Sequence, residues 1–355
     1  MENENIKTSN GRNETINNSE ILFIYECVTC NPNGDPDDEN KPRMDYNSNR
    51  NLVSDVRLKR YIRDYLSNYE DQEIFVSKVD GETVDATNRL KKLIEANIEE
   101  IKSNDKLKNL LKGKKQEPDE KKLSEHLDWL LSKLIDVRMF GATMPIKSGD
   151  TNKGSSITFT GPIQFNWGYS LNKINNAMES NTITSAFAGK GEEYSTMGKD
   201  YRLAYSLIAF YGIISGKRAD EQSKLSPEDI KLFDKAVVKA IPMEATTRSK
   251  IGQTPLFYLR VEYKGNDFFT GDFRKYIKIT DKEEKEMNFD DTVILRSTND
   301  FKLDLSKLKE KIRLEKVKSI IFWKNEDLEL LGWDFNNNNS SEIIEFNPED
   351  SKREK

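Results

Sequence analysis

A chain of 355 residues, 35% hydrophobic and 33% charged, has enough apolar mass for a sizeable core and too much charge for a membrane-embedded one. Its formal net charge of −5 excludes bulk, histone-like attraction to polyanions but leaves room for a local basic groove. Two cysteines cannot build a disulfide framework, no apolar run reaches transmembrane length, and the polar N-terminus lacks the regions of a signal peptide, so the expected compartment is the cytoplasm.

Residues 1–20 are polar and Asn-rich and are expected to form a flexible arm. ILFIYECVTC (21–30) is apolar almost without a break, which predicts a strand covered on both faces. Cys27 and Cys30 form a C-x-x-C pair with no second pair. Positions i and i+3 of a strand point to opposite faces, so the pair reads as strand core rather than a metal or redox site. NPNGDPDDENKPRMDYNSNRN is a loop of turn formers whose acids lack the ligand order of a calcium loop. LVSDVRLKRYIRDYL (52–66) has helical period. Leu58, Ile62, Tyr65 and Leu66 share a face, Lys59 and Arg63 form a separate basic stripe, and Arg57 and Arg60 lie further round. Ser54 or Asn51 is placed to cap this helix, and its N-terminal amides beside the basic stripe read either as a cradle for phosphate groups or, as most Lys and Arg do, as the water-facing side of an amphipathic helix.

EIFVSKV (73–79) reads as a short strand, and residues from about 80 to 134 as a helical insertion broken around Gly113 and Pro118. DVRMFGATMPI (136–146) and SITFTGPIQFNW (156–167) read as strands. GATMPIKS is similar to a phosphate-binding loop but has Ile146 where a Gly must precede the Lys. Residues 168–202 are polar and long for a connection, which marks a functional loop. LAYSLIAFYGIIS (203–215) is a buried strand or helix. SPEDIKLFDKAVVKAI (226–241) is a helix capped by Ser226 and stopped by Pro242. TTRSKIGQTPLFYLRVEY (246–263) is a basic turn leading into a strand; VILRST (293–298) and KSIIFWK (318–324) read as strands, FKLDLSKLKEKIRLEKV as a charged helix, and residues 336–355 as a loose tail. The irregular alternation gives an α+β class with an antiparallel sheet. Arg43, Arg138, Arg248 and Lys250 are each ordinary ion-pair partners alone and groove-lining cations if the fold assembles their loops.

Five segments in order, NPNGDPDDENKPRMD, LVSDVRLKRYIRDYL, DVRMFGATMPI, TGPIQFNWGYSLN and TTRSKIGQTPLFYLRVEY, resemble the backbone subunit of type I CRISPR Cascade complexes, most similar to the type I-B branch. The resemblance implies an RRM-like (ferredoxin-like) palm within a single domain over 21–335, with helical insertions and a β-hairpin thumb at about 168–202. It implies copies that polymerise along one CRISPR RNA, grip its backbone, and leave its bases free to pair with target DNA, together with other Cascade subunits. It implies no catalytic residue, metal, cofactor or membrane. In the family, a Ser and two basic residues four apart contact guide phosphates, and Ser54, Lys59 and Arg63 match that motif, with Arg57 and Arg60 inside it. Arg43, Arg138, Arg248 and Lys250 complete the RNA-binding candidates, and Met178, Ile183, Phe187 and Met197 are wedge candidates in the thumb. The aromatic signature of ordinary RRM proteins is absent, so base stacking on the sheet face is not expected. Type III relatives cut RNA with an Asp in the comparable loop. A metal-dependent ribonuclease using Asp35, Asp37, Asp38 or Asp45 is therefore the alternative to a non-catalytic RNA carrier.

Overall fold

The computed structural model describes residues 15–77, 85–113, 115–144, 157–175, 177–184, 196–335 and 341–349. Its organising element is strand β1 (Ser19–Cys30), buried along most of its length. Ile21, Phe23 and Tyr25 enter one core layer, and Leu22 and Ile24 enter another on the opposite face. An unbroken apolar run is what two covered faces require. Along the chain follow β2 (Arg50–Val53), α1 (Asp55–Tyr69), α2 (Ala86–Ala96), α3 (Leu127–Lys133), α4 (Ile135–Phe140), β3 (Ile163–Phe165), β4 (Gly168–Ser170), β5 (Met178–Thr184), β6 (Thr196–Ile214), α5 (Pro227–Glu244), β7 (Gln253–Tyr263), β8 (Val317–Lys324) and β9 (Glu342–Glu345), with shorter strands and helical turns between them.

The main sheet runs β9-β8-β7-β1-β6-β4-β2, with β3 paired to the end of β6. Phe23 lies opposite Phe210 on one side and Tyr258 on the other. The central part is thus a strand–helix–strand–strand–helix–strand unit, with α1 and α5 supplying the layer that covers one face. Leu58, Ile62 and Leu66 of α1 are buried there, each worth about 1.5–3 kcal/mol of burial. The other face is covered by the segment after β7, through Phe273, Leu295, Phe301 and Leu303. The insertion has an apolar cluster of its own around Leu90, Ile94, Trp129 and Leu130. Among the described residues no helix is long and apolar enough to cross a membrane.

The sheet is mixed rather than purely antiparallel, because β9 pairs parallel to β8. That strand also lies where a loose tail is expected; residues 336–340 and 350–355 are outside the described residues. At the other end, residues 1–14 of the expected arm lie outside the described residues, while Ile16 is buried and β1 begins at Ser19.

Several local patterns fold otherwise than their composition suggests. DVRMF is helical, because Asp136 and Arg138 are both tied to neighbouring elements, and Gly141 ends the helix at φ +80°. Residues 73–77 form no strand; the amides of Phe75 and Val76 donate to Asp136 instead. Helix α5 runs through Pro242 to Glu244, since a proline in the last turn removes only one backbone bond. Residues 289–294 form a helical turn where VILRST suggests a strand, and the expected charged helix divides into a strand, Lys302–Asp304, and a short helix, Ser306–Lys311. Strand β6 begins as one arm of a hairpin with β5, in which Ile183 lies opposite Met197. Met178 at the hairpin base is 44% exposed, and Phe187 lies outside the described residues.

Candidate nucleic-acid interface

Helix α1 begins where the polar loop ends. Ser54 is its cap: its Oγ accepts from the Arg57 amide at 3.3 Å, while its own amide and hydroxyl donate to Asn33 Oδ1 at 2.9 and 3.0 Å. The amides of Asp55 and Val56 have no acceptor within the helix, as for any first turn.

The basic stripe is not an open one. Lys59 Nζ donates to Asp55 Oδ2 at 3.1 Å and to Gln164 Oε1 at 2.9 Å. Burial draws its ammonium below the usual lysine range, against the pull of Asp55. Arg63 Nε donates to Asp136 Oδ2 at 3.0 Å, and its guanidinium lies 5.2 Å from the centre of the Phe140 ring. Each side chain is 11% exposed. The stripe therefore joins α1 to β3 and α4. Arg138 is likewise internal: its fork holds Asp229 at 2.9 and 2.8 Å and ties α4 to the start of α5. Arg60 pairs with Asp64 along the helix at 2.7 Å and remains 40% exposed. Arg43 pairs with Asp35 at 2.9 Å beside Trp167.

The remaining candidates converge at the C-terminal end of β1. The Arg57 guanidinium lies 4.0 Å from the centre of the Tyr61 ring and donates to its hydroxyl at 2.6 Å. Gln253 donates to that hydroxyl at 3.2 Å and to the Lys250 carbonyl at 2.9 Å. Lys250 Nζ donates to the Asn31 carbonyl at 2.6 Å. Arg248 is 65% exposed and lies 3.4 Å from Asp200. Arg202, on β6 at the hairpin base, donates to the carbonyls of Thr29 and Arg248 at 3.0 and 3.3 Å. Sequence reasoning passed over Arg202; its only signal is a cation inside a long polar stretch. Burial, and then the Arg57 charge, pull the Lys250 ammonium down to about 8, a poise the nearby thiols of Cys30 and Cys27 partly oppose.

Around these cations Arg57 Nε, Asn31 Oδ1 and Gln253 Oε1 are buried without a partner among the described residues. Arg57 Nε can donate to an anion, whereas the two amide oxygens can only accept, as from a hydroxyl. Exposed Val56 and Ile251, at 65% and 60%, flank the site. Asp200 pairs with Arg202 at 3.0 Å and with Arg248 at 3.4 Å, whereas Arg57 and Lys250 are held by a ring face, a hydroxyl and a backbone carbonyl, with no carboxylate partner among the described residues. Chemically the arrangement suits phosphate oxygens.

Two details set the shape of this corner. Thr29 has φ 49°, which breaks the strand alternation and brings Cys27 Sγ within 2.9 Å of Cys30 Sγ, so the pair does not point to opposite faces. Gly252 has φ +109°, and a Cβ there would stand 2.3 Å from the Val28 carbonyl oxygen. Gly252→Ala should therefore lower stability by about 1–3 kcal/mol, read as a shifted urea midpoint with an unchanged slope.

Of the candidate loop acids, Asp35, Asp38 and Asp45 have side-chain partners, and the Asp37 amide donates to Asp35. Asp38 pairs with Lys41 at 2.7 Å, Glu39 with Lys199 at 2.8 Å and with the Tyr201 hydroxyl at 2.6 Å, and Asp45 accepts from Ser48 at 2.5 Å. Among the described residues no group of three or more His, Cys, Asp or Glu is placed to hold a metal ion.

Residues 17–306 match the family model described as CRISPR-associated protein Cas7. A protein of Haloferax volcanii named CRISPR-associated protein Cas7 is 31% identical over 315 residues, which cover 85% of this chain and 84% of that one. Among solved structures, a chain of a CRISPR RNA-guided surveillance complex, pre-nicking, shares the fold with a TM-score of 0.51 at 12% identity, covering 93% of this chain and 97% of that one.

Proposed function

This chain belongs to the CRISPR-associated protein Cas7 family, and from that premise we propose that it is a non-catalytic backbone subunit that carries CRISPR RNA in a type I, I-B-like surveillance complex. In this reading copies of the chain line up along one guide, beside other Cascade subunits, and the guide's bases stay free to pair with target DNA. The strand–helix–strand–strand–helix–strand unit serves as an RRM-like palm, and the β5–β6 hairpin as the thumb.

The observation that carries the reading is the meeting of Arg57, Lys250, Arg248 and Arg202 at one corner, with buried polar atoms left unpartnered between them. A carrier of arbitrary spacers has to grip sugar and phosphate and ignore base identity, and this corner offers charge without a base-reading pocket. The site lies beside the first turn of α1, near the motif Ser54, Lys59 and Arg63, but its cations are not those of that motif. Lys59 and Arg63 act here as supports of the helix.

Co-expression with a CRISPR array tests the proposal. The purified protein is expected to carry RNA and to appear in electron micrographs as a curved multi-subunit assembly. A solitary chain free of nucleic acid would end it. The ribonuclease alternative has its own arm. With complementary RNA and magnesium or manganese, no regular cleavage is expected, because Asp35 and Asp45 already serve Arg43 and Ser48. Cuts that disappear in Asp35→Ala or Asp45→Ala would reverse the assignment.

A further inference from the structure

The sheet face opposite α1 and α5 has a second cationic feature, away from the corner just described. Tyr169 of β4 lies opposite Ala209 of β6, whose side chain belongs to the core layer on that face. Between this sheet edge and the covering segment is a cleft of about 310 Å³, lined by Arg50, Tyr169, Leu171, Arg274, Lys275 and Phe289 among others. The guanidinium of Arg50 stands 4.3 Å from the centre of the Phe289 ring and 5.1 Å from that of Tyr169. It donates to the Ser170 carbonyl, and among the described residues no carboxylate pairs with it. Its neighbour Arg274 is closed off: Asp272 receives its fork at 2.9 and 2.7 Å, and the Trp167 carbonyl accepts from it at 2.7 Å. Lys278 is paired with Glu286 at 2.5 Å. Lys275 is exposed at the rim, with no side-chain partner among the described residues.

A part-buried guanidinium that lies beside two rings and has no carboxylate partner is a planar donor set with unused capacity, and the acceptor that matches its fork is a carboxylate or a phosphate. The cleft walls mix charged side chains with apolar ones such as Leu171, Ile277 and Phe289, which suits an anion that carries a partly apolar body. The volume is at the small end for a ligand cleft, enough for one unit and not for a helix. We propose that this cleft takes one nucleotide unit of single-stranded RNA, with its phosphate on Arg50 and Lys275. The proposal rests on the RNA-carrying reading. It also places a contact on the sheet face where the sequence suggests none. Tyr169 and Phe289 are far apart in the chain, so no local motif could announce them.

The test uses the full chain purified with its guide. Short-wave ultraviolet irradiation followed by peptide mass spectrometry should find nucleotides joined to the peptides holding Tyr169 or Phe289. Arg50→Gln should lose these adducts and weaken oligonucleotide affinity about tenfold, the size of one charge-assisted contact. Lys275→Glu, an exposed change that leaves folding intact, should weaken it about threefold. Adenosine monophosphate titrated into RNA-free protein identifies the source. Saturable binding lost in Arg50→Gln supports a site open to free nucleotides, and adducts without such binding support one filled only by the polymer. A complex that keeps its guide yet gives no adduct on either peptide, with both variants at wild-type affinity, would overturn the inference and leave the carrier reading standing. Wild-type protein without any RNA would overturn both.

Discussion

Arg63→Glu is expected to destabilise the fold by about 3–5 kcal/mol, the usual result of removing one partner from a buried ion pair. Asp136 is fully buried and accepts from Arg63 Nε at 3.0 Å and from the amides of Phe75 and Val76 at 2.8 and 3.1 Å. Without the guanidinium its carboxylate keeps only the two backbone donors, and a glutamate would add a like charge beside it. The Phe140 ring would also lose one of the two cations above it, keeping Lys59. Urea denaturation should show the midpoint falling well below wild type, with Arg63→Lys in between. Arg60→Glu is the control on the same helix. Its ion pair with Asp64 is 40% exposed on the arginine side, so the loss should stay within about 1 kcal/mol. A wild-type melt for Arg63→Glu would mean that Arg63 is free for a ligand after all. The practical consequence is that a charge reversal at Lys59 and Arg63, the natural choice from the sequence, tests folding before it tests RNA.

The difference between Arg63 and Lys250 explains what the sequence could and could not tell. Where a residue's fate depends on its neighbours in the chain, it was legible. Strand β1 needs apolar residues at every position because both faces are covered, and that run is visible. Ser54 and Ser226 cap α1 and α5 by accepting from the amide three residues on, a relation that local spacing encodes. The fate of a cation depends instead on partners far away. Lys59 meets Gln164, Arg63 meets Asp136 and Arg138 meets Asp229, and nothing in a single sequence distinguishes these from Lys250 or Arg57. Helix α4 was illegible for a related reason. Its β-branched and aromatic residues favour a strand, and tertiary pairing of Asp136 and Arg138 overrides that preference.

Lys250 should behave in the opposite way to Arg63. The double variant Arg57→Gln, Lys250→Gln is expected to keep its fold and to lose about two orders of magnitude in RNA affinity, as for two charge-assisted phosphate contacts. The slope of log affinity against log salt should flatten by about 1.4 if both charges meet phosphates of a single strand. Folding is expected to survive because neither cation satisfies a buried carboxylate. Arg57 is held by Tyr61, and Lys250 by a single backbone carbonyl. The Lys250 charge is itself a burden on the fold, since burial and then Arg57 lower its ammonium to about 8 from 10.5. The pH dependence follows with a definite sign. Between about 8 and 10.5 the unfolded chain binds more protons at this residue than the folded one, so this group makes stability rise with pH across that window. RNA affinity should move the other way, falling as pH passes about 8 and the amine becomes neutral. Bound phosphate opposes that loss and is accompanied by proton uptake. Calorimetry in buffers of different ionisation enthalpy would detect the uptake, and Lys250→Gln should abolish it together with most of the fall. If affinity is flat across this range in the wild type, or the double variant binds normally, phosphates do not meet this corner of the molecule.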